Sequence, residues 1–264
     1  MKSSVAILGS SGLIGSKLAN ILETQGFTVI RTTRISITEE LIREKPLCII
    51  NCIGAGMDIR KNQTNEQIWA ANYEVPVEIL KLAERLEAKF INIGSILEKI
   101  EHLNTPYIES KRKLTREMVA SFERHSGAIS ILTPITFGLD LEHAFIAEVL
   151  NAGRTGTPVQ LESPMAVREF IHVADLATIV LKLLSLDSFA LPIFETGTGI
   201  GYSLSELCDS VLNGLVEPPW IFSPRPNKTN EFAVVADVDF VTNELGIQLF
   251  YNLPKWLQFQ LREI

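Results

Sequence analysis

Three glycines near the amino terminus constrain the fold of this chain more than any other feature. Gly9, Gly12 and Gly15 stand at intervals of three, after the apolar run 5–8 and before a helical pattern. Glycine permits a sharp turn, close approach of a ligand to the backbone, and close packing of helix on strand. The unpaired N–H groups of the helix N-terminus suit a phosphate. The stretch therefore predicts a dinucleotide site; the alternative is a plain tight turn with a packing glycine.

The first half of the chain alternates between short apolar runs and amphipathic segments. The predicted strands are 5–8, 28–32, 47–53, 90–93 and 129–133, and the predicted helices are about 15–24, 38–45, 65–88 and 107–125. Continuously apolar strands separated by helices indicate a parallel sheet covered on both faces. We predict an α/β fold: a doubly wound parallel Rossmann sheet over 1–137, with a returning segment near 170–186. Residues 138–264 are less regular, and we expect a smaller, interleaved α+β substrate lobe.

Composition and charge exclude several classes of protein. The 264 residues are 46% apolar and 21% charged, as in soluble globular proteins, and the net charge of −7 argues against binding nucleic acid through its phosphates. No apolar run approaches a membrane span, and the amino terminus leads into a strand rather than a signal peptide. The three cysteines and four histidines have no disulfide or metal-ligand spacing. We therefore expect a cytoplasmic protein that uses no metal, membrane or nucleic acid.

Further motifs resemble those of the extended short-chain dehydrogenases/reductases, the NAD-dependent epimerase/dehydratase family. Tyr107 and Lys111 match that family's Tyr-x-x-x-Lys, and Ser95 ends a buried strand upstream. The segments 168–175, 195–207 and 237–246 are similar to its "RDFIHVxD", "NxGxG" and closing elements. These landmarks run from residue 5 to about 255. The resemblance implies an NAD(P)-dependent oxidoreductase that acts on a nucleotide sugar.

Ser95, Tyr107 and Lys111 are the predicted catalytic residues. Tyr107 and Lys111 are four residues apart and share a helix face. A fixed ammonium favours the phenolate, so Tyr107 can exchange a proton with a substrate oxygen while hydride moves to or from its carbon. Ser95 is expected to hold the carbonyl oxygen by a hydrogen bond. The alternative is a chance Tyr–Lys pair and a serine that only caps a strand end.

The end of the second predicted strand indicates which cofactor binds. NAD sites place a carboxylate here, but this chain has Thr33 followed by Arg34. A guanidinium can bind a 2′-phosphate in a bidentate way, so we predict NADP(H) in preference to NAD(H), with Arg34 favoured over Arg31. The usual extra strand–helix unit after this strand is missing, a shortening that resembles the dTDP-4-dehydrorhamnose reductases.

The predicted cofactor-binding set combines the glycine turn with residues implied by the resemblance. Asn72 is included by resemblance alone, and the stretch 133–138 resembles a family passage that borders the nicotinamide amide. The full set is Gly9, Ser11, Gly12, Leu13, Ile14, Gly15, Arg34, Ile53, Gly54, Ala55, Asn72, Tyr107, Lys111 and Pro134.

Four residues form the predicted substrate-binding set: Ser95, Ile96, Arg168 and Arg225. The two arginines resemble the pair that the family uses on a nucleotide diphosphate; the alternative is ordinary salt bridging. Dehydratases of the family follow the Ser or Thr with Asp-Glu, whereas Ile96 and Leu97 stand here. Glu98 is a late candidate for the missing acid or base, and we favour its interpretation as a solvated loop carboxylate.

Taken together, these motifs resemble those of nucleotide-sugar 4-ketoreductases, including the CDP-abequose and CDP-paratose synthase type. That resemblance implies NADPH-dependent reduction of the C4 keto group of a nucleotide-linked 4-keto-6-deoxysugar, with Tyr107 as general acid. An NAD-dependent nucleotide-sugar epimerase and a non-catalytic NADP-binding regulatory protein remain as alternatives. The apolar stripes of 65–88 and 107–125 exceed what covers one sheet. In the superfamily that the chain resembles such helices often pair across a two-fold axis, so the resemblance implies a homodimer.

Overall fold

A computed structural model describes residues 4–32, 37–56, 62–138, 144–224 and 232–262. The strands are β1 (Ser4–Leu8), β2 (Thr28–Arg31), β3 (Cys48–Asn51), β4 (Lys89–Ile93), β5 (Ala128–Leu132), β6 (Ile135–Phe137), β7 (Val159–Leu161), β8 (Val167–His172), β9 (Ile193–Glu195), β10 (Gly201–Ser203) and β11 (Trp220–Phe222). The helices are α1 (Leu13–Thr24), α2 (Ile37–Glu44), α3 (Asn65–Trp69), α4 (Val75–Leu86), α5 (Pro106–Phe122), α6 (Ala144–Thr155), α7 (Val173–Ser185), α8 (Leu204–Leu212) and α9 (Leu253–Arg262).

The main sheet is parallel and has the strand order β2-β1-β3-β4-β5-β9. Both faces are covered, which the alternation along β1 illustrates. Val5 and Ile7 pack into one core with α1 and α7, whereas Ala6 and Leu8 pack into another with α2, α4 and α5. The predicted doubly wound Rossmann sheet is confirmed, and its order reverses between β1 and β3. Ligands bind at such a switch point, beyond the carboxyl ends of the strands.

The second half of the chain supplies both a lobe and a return to the sheet. A three-stranded sheet, β10-β8-β6, and a two-stranded sheet, β11-β7, pack with α6, α8 and α9 around a separate core. Between these pieces α7 and β9 rejoin the main sheet, with β9 parallel to β5. The division at residue 137 stays a prediction.

The surfaces of the two long helical segments differ from what the sequence suggested. The apolar residues that seemed surplus, such as Val77, Leu80, Leu114 and Met118, lie in the core against the sheet. Among the described residues, Val119 is the large hydrophobic side chain that stays exposed on these segments. The apolar stripes therefore give no support to a homodimer, which stays a prediction that light scattering tests. Of the helices described, none combines the length and the apolar character needed to cross a membrane.

His172 is structural in this fold, because its side chain caps α7. The ring Nδ1 accepts a hydrogen bond from the backbone N–H of Ala174 at 3.2 Å, and the ring stacks on Tyr251 at a centroid distance of 3.7 Å. Burial lowers the pKa of His172 from 6.5 to about 4. An imidazole that accepts at Nδ1 must be neutral there, so protonation removes the cap.

This cap predicts a pH-dependent stability. Between pH 6.5 and about 4 the unfolded chain binds a proton that folded His172 refuses, so stability falls as the pH drops through this window. We expect the contribution to reach about 1–2 kcal/mol near pH 5, or about 2–5 °C in Tm. His172→Asn keeps a capping oxygen that does not titrate. Thermal melts from pH 7.5 to 4.5 should show a shallower fall for the variant; identical slopes would contradict the assignment.

Candidate active site

The glycine turn joins β1 to α1 at the switch point of the sheet. Gly9 has φ +73°, a conformation that glycine adopts without strain, and its carbonyl accepts from the N–H of Gly12 at 2.9 Å. A Cβ on Gly15 would lie 2.3 Å from the Gly9 oxygen, so α1 approaches the turn as closely as it does only because residue 15 is glycine.

The amino end of α1 is open to an anion. Gly12 provides no side-chain cap, and the first turn contains no acidic residue. Ser11, Gly12 and Leu13 are exposed at this end. The unpaired N–H groups and the positive end of the helix dipole therefore fit the phosphates of a dinucleotide.

A second loop, residues 53–56, follows β3 and is held by hydrogen bonds from the side chain of Asn72. The Asn72 Oδ1 accepts from Ala55 N at 2.8 Å, and its Nδ2 donates to Ala55 O at 3.0 Å and to Ser110 Oγ at 3.1 Å. Asn72 is fully buried in a π-helical turn, Ala70–Glu74, that joins α3 to α4. Both of its amide hydrogens are used on the protein, so Asn72 positions this loop; its place in the cofactor-binding set stays a prediction.

The predicted catalytic residues meet at the carboxyl end of β4. Ser95 lies two residues beyond that strand, and Thr105 caps α5 so that Tyr107 and Lys111 lie on its first turns. Burial raises the pKa of Tyr107 to about 12; a hydrogen bond with Ser95 lowers it, and the charge of Glu98 raises it further. Tyr107 is therefore a phenol at neutral pH and carries a proton that it can donate.

Lys111 holds the ends of two strands together. Its Nζ donates to the carbonyls of Ile53 and Ile93, both at 3.1 Å, and its side chain is buried. Burial lowers the pKa of Lys111, while Glu98 and Cys52 raise it. The sequence had predicted that this ammonium makes Tyr107 more acidic. In the structure burial has the larger effect on Tyr107, and two strand-end carbonyls take hydrogen bonds from the ammonium.

Glu98 is not a solvated loop carboxylate, and this interpretation was wrong. Its Oε1 accepts from Ser95 N at 2.8 Å, and its Oε2 accepts from Thr115 Oγ1 at 2.7 Å. Ser95 caps the 3₁₀ turn Ile96–Lys99 in return, as a reciprocal capping box. The sequence Ser-x-x-Glu carries that signature, so the inward direction of Glu98 was readable from local spacing.

The residues predicted to select the cofactor lie partly outside the described ranges. Thr33 and Arg34 lie in the range 33–36, which the structure leaves undescribed. Arg31 bonds to Glu23 and Asn20 on α1, which agrees with the preference for Arg34.

Of the two arginines predicted to bind a diphosphate, the structure describes one. Arg225 lies outside the described residues. The Arg168 guanidinium stacks on Phe232 at 3.9 Å and donates to the carbonyls of Val167 and Phe232. Burial lowers the pKa of Arg168 to about 10. Glu169 accepts from the N–H groups of Gly199 and Ala236, which ties the loop after β9 to the strand.

The remaining predicted residues lie around the same sheet edge. Ile96 is buried in an apolar cluster with Leu132, and its N–H donates to Thr133 O at 3.0 Å. Pro134 is buried between β5 and β6. Burial raises the pKa of the Cys52 thiol to about 12, so it is no nucleophile at neutral pH. Within the described ranges, no group of three or more His, Cys, Asp and Glu side chains has a metal-binding arrangement.

A glycine turn at a switch point, with Ser, Tyr and Lys at the neighbouring strand end, defines an NAD(P)-dependent oxidoreductase of the Rossmann type. Residues 5–190 match the model of the NAD dependent epimerase/dehydratase family, so the chain belongs to that family. Its members are NAD(P)-dependent oxidoreductase-type enzymes.

Solved structures of the same fold cover nearly the whole chain. The Bordetella bronchiseptica enzyme WbmG, solved with NAD and UDP, is 18% identical with a TM-score of 0.80, covering 99% of this chain and 94% of that one. RMD from Pseudomonas aeruginosa, solved with NADPH, is 15% identical with a TM-score of 0.80, covering 100% and 97%. The UDP-glucose 4-epimerase of Thermotoga maritima, solved with UDP-glucose, is 14% identical with a TM-score of 0.80, covering 98% and 97%.

Proposed function

We propose that this protein uses NADPH to reduce the C4 keto group of a nucleotide-linked 4-keto-6-deoxysugar. The observation that carries the proposal is the convergence of Ser95, Tyr107 and Lys111 where β3 and β4 end: Lys111 Nζ bonds to Ile53 O and Ile93 O at 3.1 Å, and Tyr107, whose pKa burial raises, lies on the same helix. A phenol that keeps its proton at neutral pH is suited to protonating a carbonyl oxygen as it becomes an alcohol.

The chemistry divides between the cofactor and this chain's residues. The glycine turn from Gly9 to Gly15 would hold the dinucleotide, whose nicotinamide would supply the hydride for the carbonyl carbon. Tyr107 gives its proton to the oxygen, so ketone, hydride and proton together make a secondary alcohol. Ser95 orients the oxygen by a hydrogen bond, and Lys111 fixes the loop after β3 that borders the cofactor.

The turn after Ser95 argues against dehydration. Ile96 is buried in an apolar cluster, and Leu97 packs against that cluster, where dehydratases of the family have Asp and Glu. Glu98 is occupied by Ser95 N and Thr115. The acid and base needed to break a C–O bond are therefore missing from these positions.

Arg34 is proposed to select NADPH. The solved relatives divide, with NAD in WbmG and NADPH in RMD, so the fold leaves the choice open. We expect Arg34→Ala to weaken NADPH binding by roughly 10–30-fold and to leave NADH binding unchanged, because only NADPH carries the 2′-phosphate. Calorimetry with both cofactors measures this.

Arg31→Ala is the matched control for that titration. It removes the same charge three residues earlier, from a guanidinium that bonds to Glu23 and Asn20 on α1. Its NADPH affinity should stay near wild type. Equal loss in both variants, or wild-type protein that binds NADH as well as NADPH, would contradict the proposed selectivity.

An NAD-dependent nucleotide-sugar epimerase is the second candidate. The similarity in fold to the Thermotoga maritima UDP-glucose 4-epimerase favours it. An epimerase oxidises and then re-reduces the sugar, so it would purify with bound NAD and interconvert two sugars without net loss of NADPH. Absorbance at 340 nm during turnover separates the two: a steady fall supports the reductase, and a constant signal with product formation supports the epimerase.

A further inference from the structure

Glu98 is a partly buried carboxylate next to the catalytic residues, held by contacts from three directions. Ser95 N and Thr115 Oγ1 donate to its two oxygens. Arg112 donates to the backbone carbonyls of Glu98, Ile100 and Leu103, which fixes the turn that carries it. A carboxyl group held so closely has a defined direction and acts on its neighbours as a fixed charge.

A chain of hydrogen bonds runs through the sheet and ends at Glu98. Asn51 donates to Asn92 at 2.8 Å, Asn92 donates to Ser130 at 2.9 Å, and Ser130 lies 3.4 Å from Thr115. Because Thr115 uses its one hydroxyl proton on Glu98, the Ser130 hydroxyl is the donor in that contact. Every donor then points toward Glu98. Burial raises the pKa of Glu98, whereas the hydrogen bonds from Thr115 and Ser95 and the charges of Lys111 and Arg112 lower it and so favour the carboxylate.

Lys111 lies one turn before Thr115 on α5 and has a buried ammonium group. A buried charge is costly unless an opposite charge compensates it. The described groups whose charges act on Lys111 are Glu98 and Cys52, and the Cys52 thiol is neutral because burial raises its pKa to about 12. The Arg112 guanidinium is itself a cation and donates to backbone carbonyls, and Tyr107 is neutral, so neither residue compensates the charge of Lys111. Lys111 Nζ bonds directly to the carbonyls of Ile53 and Ile93, and Glu98, which Thr115 holds one turn further along α5, is the described carboxylate whose charge raises the pKa of Lys111.

We propose that Glu98 is a positioning residue of the catalytic set: it is the ionised counter-charge of Lys111, and it fixes Ser95 through the Ser95 N–H. Beyond this, the Glu98 charge disfavours the phenolate and so helps Tyr107 to keep its proton. Given the proposed reduction, that bias suits a general acid rather than a general base. Substitution of Glu98 tests this electrostatic role without requiring turnover.

A double-mutant cycle tests the counter-charge. We expect Glu98→Gln to lower Tm by about 5 °C or more, because it removes the charge that compensates the Lys111 ammonium. In a Lys111→Met background the same substitution should lower Tm by less than half as much. If the Glu98→Gln single variant does not fold and the Glu98→Gln/Lys111→Met double variant does, the expectation is also met. Equal losses in both backgrounds, or a Glu98→Gln change that is silent because the carboxyl is already protonated, would overturn the proposal.

Titration of Tyr107 tests the effect on the acid itself. The chain has four tyrosines, so ¹³Cζ-labelled tyrosine gives few signals, and Tyr107→Phe assigns the relevant one. The onset of Tyr107 ionisation should move to lower pH by about 0.5–1 unit in Glu98→Gln and stay in place in Glu98→Asp.

Glu195→Gln is the matched control for the titration. It removes one carboxylate from the end of β9, where Glu195 pairs with Lys99 of the turn after Ser95. The Tyr107 signal should titrate as in wild type. A folded Glu98→Gln protein with an unmoved Tyr107 onset would overturn the proposal, whichever reaction the enzyme catalyses. Absence of keto-sugar reduction in wild type would instead contradict the proposed function and leave both Glu98 readouts standing.

Discussion

Tyr107→Phe should give a folded protein that binds the dinucleotide and loses turnover, with kcat reduced by about 10²–10⁴-fold. The ring keeps its packing in the cluster with Ile53, Ala55 and Ile68, so the loop after β3 stays in place. What disappears is the hydroxyl that hydrogen-bonds with Ser95 and donates the proton. Single-turnover measurement of cofactor oxidation, with cofactor affinity measured separately, isolates the chemical step.

Tyr73→Phe is the control for that loss. Tyr73 lies on the π-helical turn Ala70–Glu74, and its hydroxyl donates to Glu117 at 3.1 Å, so Tyr73→Phe removes a hydroxyl that bonds to a different partner. This variant should turn over at the wild-type rate. A Tyr107→Phe protein that keeps full function would contradict the general-acid role and favour the non-catalytic, NADP-binding alternative.

Local sequence patterns were sufficient for the fold and for the elements of the site that are close together in the chain. The glycine turn lies between a strand and a helix within one short segment, and Tyr107 and Lys111 share one helix. In both cases spacing alone fixes the relative position of the residues. The parallel sheet followed as well, because its strands are continuously apolar and their direction is set by the intervening helices.

Contacts between distant segments were not predictable in the same way. Asn72 bonds to Ala55 and Ser110, and the sequence gives no measure of which loop a buried amide faces. The Lys111 ammonium reaches two strand-end carbonyls, which become neighbours only once β3 and β4 pair. Glu98 is an exception in part. Its Ser-x-x-Glu spacing predicts the contact with Ser95, whereas nothing in the local sequence predicts the contact with Thr115.

Gly15→Ala should remove dinucleotide binding, with NADPH affinity falling by about 100-fold or more. The added Cβ would lie 2.3 Å from the oxygen and 2.9 Å from the carbon of the Gly9 carbonyl. These are backbone atoms, so the clash cannot be relieved by a change of rotamer, and α1 must move away from the turn. That movement displaces the N–H groups that are proposed to hold the phosphates, and overpacking should also cost about 1–3 kcal/mol of stability.

Ser16→Ala separates this effect from a general change in α1. It places an alanine at the next position and removes a hydroxyl that, among the described residues, bonds within its own turn to Leu13 O at 3.2 Å. Calorimetric titration with NADPH and thermal melts of both variants give the comparison. If the phosphate site depends on close contact between α1 and the Gly9 turn, Gly15→Ala loses affinity and Ser16→Ala keeps it. A Gly15→Ala protein with wild-type affinity would show that the turn tolerates a side chain, and that the cofactor is held elsewhere.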